Sequence, residues 1–258
     1  MKVRSVLRAR DFGFVSLLMI GIAAQAAEIK VLSAVPMRAV MEDLGPKFER
    51  ASGHKLAITF NNLGAIVKRV QDGEASDVVI IPRQGIDGFL IGGKARAGNV
   101  TDIARVGFGV AVRKGTSKPD ISSPEAFKRA LLAAKSITYG NPAAGSASGA
   151  YFVKVLDRLG IVDEMKLKTV FPKSGAAEAL VANGEAEIAV NHLVQLVPFA
   201  GIEVVGPLPG DLQGFDVYTA VVLAGDRDTE ASKALVNFLR TPEAAAVIRA
   251  KGMESATP

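Results

Sequence analysis

Apolar residues along this chain switch between two spacings, and the switching predicts strands separated by helices. Ile29, Val31 and Leu32 form a short strand that ends at Ser33. Met37, Val40, Met41, Leu44 and Phe48 then recur at helical spacing until Gly53. Leu56–Phe60 predicts a second strand, followed by a helix carrying Leu63, Ile66, Val67 and Val70. Residues 77–81 are almost continuously apolar, the composition of a parallel strand covered on both faces. This β-α-β-α-β order predicts an α/β layered unit with right-handed crossovers.

Val106–Val112 is a further strand, and the pattern then restarts. Pro124–Leu132 predicts a helix capped by Ser123, followed by a strand at 136–139 and a helix at 150–159 that stops at Gly160. Residues 168–171 predict a strand, 176–183 a helix and 187–190 another strand. After a Pro/Gly-rich passage, 217–223 is a long strand, and 231–239 with 242–251 are closing helices. The order suits two α/β blocks joined near 105–109 and again near 216–220. Residues 27–106 plus 219–258 are expected to make one lobe and 107–218 the other. Two such crossings place a cleft between the lobes, with the C-terminal ends of both sets of strands facing it.

The first 26 residues read as an export signal rather than as part of the fold. Lys2, Arg4, Arg8 and Arg10 precede an apolar run from Phe12 to Ala24, and Ala24-Gln25-Ala26 supplies a small-x-small cleavage site. The run falls short of the ~18 to 20 residues that cross a bilayer. The expected mature chain begins at Ala27 and works in the periplasm. Its export also changes the charge reading. The 31 Lys and Arg and 26 Asp and Glu give +5, but removing the signal leaves 27 and 25, or +2. No basic run with interleaved aromatics remains, so nucleic acid is not an expected partner. The chain has no Cys, so its core must stand without disulfides.

Neutral hydrogen-bond donors recur at the strand-to-helix turns, where helix N–H groups lack partners: Ser33, Asn61 and Asn62, Ser146 to Ser148 around Ala147, and Ser174. Each could be a simple helix cap. Four such turns around one cleft would instead hold a small anion by dipoles rather than by opposite charge. Enzyme signatures are weak. Gly88, Gly93 and Lys94 have phosphate-loop spacing, but Ala95 stands where a Ser or Thr should hold magnesium. No Ser sits in a Gly-x-Ser-x-Gly elbow, since Ala147 occupies the central place between Gly145 and Gly149. Two His and no Cys make a metal site or metal cofactor unexpected.

The segments Val31-Leu32-Ser33-Ala34, Phe60-Asn61-Asn62-Leu63, Ala75 to Ile80, Gly140-Asn141-Pro142 with Ala147 to Tyr151, and Gly184 to Val190 carry a family resemblance. Together they resemble periplasmic substrate-binding proteins of the molybdate-binding type, within the type II binding-protein fold. The resemblance implies a monomeric, cofactor-free anion receptor that serves a membrane ABC permease. It maps the family's first Ser onto Ser33 and its second onto Asn61 or Asn62. Its second-lobe amides fall near Ala147 and near Gly175 or Ala176, and its Tyr falls near Asn191 and His192. Arg83 follows the third strand where the family tends to place an acidic residue. An Arg there and a His in place of Tyr suit a carboxylate ligand, since a guanidinium offers a planar fork. The same scaffold hosts an exported aconitate isomerase, so two alternatives to an oxyanion importer stay open. One is an organic-acid receptor. The other is an isomerase in which Arg83 clamps a carboxylate and His192 is the base.

Overall fold

The structure, a computed structural model, describes residues 26–172, 176–224 and 229–257. The expected export signal, apart from Ala26, lies outside them. β1 (Glu28–Ala34) leads through a short 3-10 turn into α1 (Arg38–Ser52), whose Val40, Met41, Leu44 and Phe48 are all buried. Gly53 ends that helix at φ +76°, a left-handed conformation that a side chain would strain. β2 (Lys55–Asn61), α2 (Leu63–Gln71) and β3 (Val78–Pro82) follow in the expected order. β2 and β3 flank β1 in parallel register.

After α3 (Asp87–Ile91) comes β4 (Ala95–Arg113), which ties the molecule together. The second block contains α4 (Pro124–Ala133), β5 (Ile137–Tyr139), α5 (Ala147–Arg158), α6 (Val162–Lys168), α7 (Glu178–Ala182), β6 (Ile188–His192), α8 (Leu193–Leu196) and β7 (Ile202–Pro207). β8 (Phe215–Leu223), α9 (Thr229–Phe238), α10 (Pro242–Ala250) and β9 (Glu254–Ser255) bring the chain back to the first block. From Ala95 to Gly107, β4 pairs antiparallel with β8; from Phe108 to Val112 it pairs with β6. One strand therefore belongs to two sheets, and β8 runs beside it. These are the two crossings of a two-lobed α/β binding-protein fold. The buried apolar residues separate accordingly, one cluster under the β1–β3 sheet and α1, another around Phe108, Phe127 and Phe152.

The structure departs from expectation in three places. No strand forms at 168–171: α6 runs through Lys168, and only Thr169 makes an isolated bridge to Ile137. Asp163 and Glu164 in the first turn and Lys166 and Lys168 in the last complement the helix dipole and outweigh the β-branched pair Thr169-Val170. β3 is fully buried, as its apolar run requires, yet one of its partners, β8, is antiparallel. A continuous apolar run reports burial on both faces rather than strand direction. Finally, the crossing strand starts at Ala95 rather than near Val106, because Gly98, Asn99 and Asp102 hide its first half.

Candidate functional site

The strand ends and helix starts of both blocks converge on a cavity of about 410 Å3. From the first block come Ala34 to Pro36 at the end of β1, Asn61 and Asn62 at the end of β2, and Tyr218 on β8. The second block adds Ser146, Ala147 and Ser148 at the start of α5, Ala176 to Glu178 at the start of α7, Asn191 and His192 at the end of β6, and Gln195 on α8. Among the described residues no Lys or Arg lines it, and Glu178 is the one acid there.

Local hydrogen bonds fix the turns. Asn62 caps α2, its Oδ1 accepting from Ala65 N–H at 2.8 Å, and Asn61 Oδ1 accepts from Asn62 N–H at 3.0 Å. Ser146 caps α5 by accepting from Gly149 N–H at 3.2 Å, and its hydroxyl lies 3.1 Å from that of Ser148. The first-turn N–H groups of α5, at Ala147 and Ser148, have no carbonyl four residues earlier in the helix. Replacing Asn62 by Ala removes a cap and is expected to cost about 1 kcal/mol, measured by thermal unfolding.

The back wall is built on His192, which is 2 % exposed. Its Nε2–H donates to Asp216 Oδ2 at 2.9 Å, and a carboxylate can only accept, which fixes the proton on that nitrogen. Nδ1 is then left with its lone pair, and the Gln195 amide, 3.3 Å away, can donate to it only with its nitrogen turned inward. Phe108 stacks on the imidazole at 4.8 Å and on Tyr151 at 4.2 Å. The Tyr151 hydroxyl donates to Leu212 O at 2.9 Å. Gln84 Nε2, just past β3, donates to Asp216 Oδ1 at 3.4 Å, so the wall spans both blocks. Burial pushes the Tyr218 phenol well above its usual range, and the negative charge of Asp216 adds to the effect. Tyr218 thus enters the cavity wall as a neutral hydroxyl.

Not every residue singled out from the sequence reaches this cavity. Asn61, Asn62, Ser146, Ala147, Ser148, Ala176, Asn191 and His192 line it. Ser33 lies inside β1 with no exposure, and its hydroxyl sits 3.5 Å from Ala34 O; the three residues after it line the cavity instead. Arg83 is turned away and forks onto Asp102, Nε to Oδ1 at 3.1 Å and NH2 to Oδ2 at 2.9 Å. Ser174 and Gly175 lie outside the described residues. Glu178, Gln195 and Tyr218, and Asp216 behind His192, carried no local signal in the residue pattern. Among the described residues no three His, Asp or Glu side chains gather as a metal ion would require.

The lobes also touch in front of the cavity. Gly64 N–H, at the start of α2, donates to Gly145 O at 3.1 Å. A Cβ on Gly64 would lie 2.8 Å from Gly145 Cα, so only bare backbones can meet there.

Known proteins share this architecture. The chain is 30% identical over 232 residues to an aconitate isomerase of a Pseudomonas species, covering 88% of this chain and 87% of the relative. It is 32% identical over 238 residues to the molybdate-binding protein ModA of Azotobacter vinelandii, covering 89% and 91%. The solved structure of the sulfate-binding protein SubI from Mycobacterium tuberculosis superposes with a TM-score of 0.74 at 15% identity, over 90% of this chain and 88% of that one. The family described as bacterial extracellular solute-binding proteins matches residues 29–254. With a match of that length and relatives at this identity, the chain belongs to the bacterial extracellular solute-binding protein family.

Proposed function

We propose that this protein is a periplasmic receptor that captures a small anion between its lobes and presents the closed form to a membrane ABC permease. The observation that carries this reading is the composition of the cavity wall. Neutral polar side chains from both blocks surround it, Asn61 and Asn62 on one side and Ser146, Ser148 and Asn191 on the other, and among the described residues Glu178 is the only Asp, Glu, Lys or Arg that lines it. Amide and hydroxyl dipoles, with the starts of α2 and α5, stabilise negative charge while leaving the anion free to depart. The moving bodies would be 27–106 plus 219–258 and 107–218, hinged on β4 and β8, with 1–26 removed on export. The relatives bind or transform anions, which supports the same class for this chain.

A thermal-shift panel of molybdate, tungstate, sulfate, citrate and trans-aconitate tests the reading. At one hundred times its Kd, a ligand of the native state adds about 2.7 kcal/mol, a rise of roughly 5–10 °C for a chain this size. If no member of the panel raises Tm, the anion receptor is the wrong reading.

A second reading is favoured by the His192–Asp216 pair. With Nε2 held by Asp216, His192 offers Nδ1 as a base, and a carboxylate behind an imidazole stabilises the imidazolium that forms when it takes a proton. That arrangement suits the allylic proton transfer of an aconitate isomerase. Incubation with trans-aconitate followed by proton NMR should then show the cis isomer, and an unchanged spectrum excludes this reading.

A further inference from the structure

Most donors on the back wall of the cavity are already engaged within the protein. Asn191 Nδ2 donates to Glu178 Oε1 at 2.6 Å, and Asn191 Oδ1 accepts from His192 N–H at 2.9 Å. His192 Nε2–H is held by Asp216, and the Gln195 amide lies 3.3 Å from His192 Nδ1. Tyr218 differs. It lines the same wall, yet among the described residues its hydroxyl has no hydrogen-bond partner. A buried phenol O–H ordinarily finds one.

This hydroxyl is not sealed in. Among the described residues, the side-chain atoms both closed to water and unpartnered are Ser76 Oγ, Thr138 Oγ1, Glu178 Oε2 and Gln213 Oε1. Tyr218 is 1 % exposed, and its unpartnered oxygen is absent from that group, so the surface it keeps includes the oxygen. The cavity is what that surface faces. The side chain is also firmly placed. Its backbone pairs with Pro82 of β3 on one side and Ala104 of β4 on the other. Its ring meets that of His192 edge-on, with centroids 6.1 Å apart and planes at 69°. Burial and Asp216 keep the phenol protonated, so it has a hydrogen to donate. Water can serve such a group in an empty cleft, and an anionic oxygen replaces that contact with a charge-assisted bond.

From this geometry we infer that Tyr218 is a ligand-binding residue: its O–H donates to an anionic oxygen of the captured molecule at the back of the cavity. The inference rests on the anion-receptor reading and names a contact of that site. It places a fixed donor from β8 opposite the asparagine and serine turns, where the wall offers few others.

Titration calorimetry of the unaltered protein and of Tyr218→Phe, with molybdate, tungstate, sulfate, citrate and trans-aconitate, tests the inference. Phe keeps the ring packing and removes no hydrogen bond within the protein, so Tm without ligand should hold or rise slightly. The anion that binds the unaltered protein most tightly should lose about 10- to 100-fold in affinity, the size of one hydrogen bond to a charged group. The chain has no Trp and three Tyr, so near-ultraviolet absorption reports on its tyrosines. Adding that anion should shift the tyrosine absorption of the unaltered protein, and the shift should be lost in Tyr218→Phe. Affinity that survives the substitution within twofold, or an absorption that the anion leaves unmoved, overturns the inference while the receptor reading stands. A variant that fails to fold or melts lower marks the hydroxyl as structural and overturns it as well. If none of the five anions binds, the receptor reading itself falls, and this inference falls with it.

Discussion

Gly64→Ala is expected to leave the unliganded protein as stable as before and to weaken ligand binding about 10- to 100-fold. Gly64 is the second residue of α2, a position where Ala is no worse than Gly in the open protein. With the blocks touching as the structure has them, its new Cβ would lie 2.8 Å from Gly145 Cα, and that neighbour is backbone that cannot move aside as a flexible side chain would. Gly145 sits at φ +83° and could not be rebuilt without strain. An overlap of this kind costs about 1–3 kcal/mol, and all of it falls on the closed form. Calorimetry should therefore show the lost affinity while the Tm without ligand holds. Small-angle scattering should show a ligand-induced compaction that shrinks or disappears. A variant that binds and compacts like the unaltered protein would mean that the Gly64–Gly145 contact plays no part in closing.

The elements that position this contact were readable in the sequence because each is announced locally. β1 to β3 with α1 and α2 follow from apolar spacing, and Gly53 and Gly160 stop helices where a left-handed residue is needed. The donors after β2, before α5 and after β6 stood out because neutral polar residues at strand-to-helix turns have an immediate chemical reason. What stayed hidden depends on long-range partners. Glu178 reads as an ordinary first-turn acid favoured by the helix dipole, and only packing shows that its carboxyl is buried beside Asn191. Asp216 follows the Pro/Gly-rich passage 206–214, where no periodicity points inward, although its imidazole partner was already marked. Arg83 invited a role as a ligand clamp because its natural partner, Asp102, lies in the half of β4 that the apolar pattern does not reveal.

Arg83 and His192 both face a carboxylate, and burial decides which pair matters for stability. The Arg83–Asp102 fork has side chains 57% and 35% exposed, so water screens it and Arg83→Ala should cost about 0–1 kcal/mol. His192 and Asp216 are 2% and 6% exposed at the same point of contact. Asp216→Ala would leave His192 Nε2 without its acceptor in a site closed to water, whereas the exposed Gln84 can turn to water instead. A buried hydrogen bond to a charged group that loses one partner costs about 2–4 kcal/mol. For a chain of this size that lowers Tm by roughly 5–15 °C. The bonds from His192 through Asp216 to Gln84 run from one lobe to the other, so the same change should also loosen the cleft. Amide exchange should rise at β6 and at the start of β8 before it rises in β1 to β3. A Tm within 2 °C of the unaltered protein would show that the pair is not part of what holds the two lobes in register.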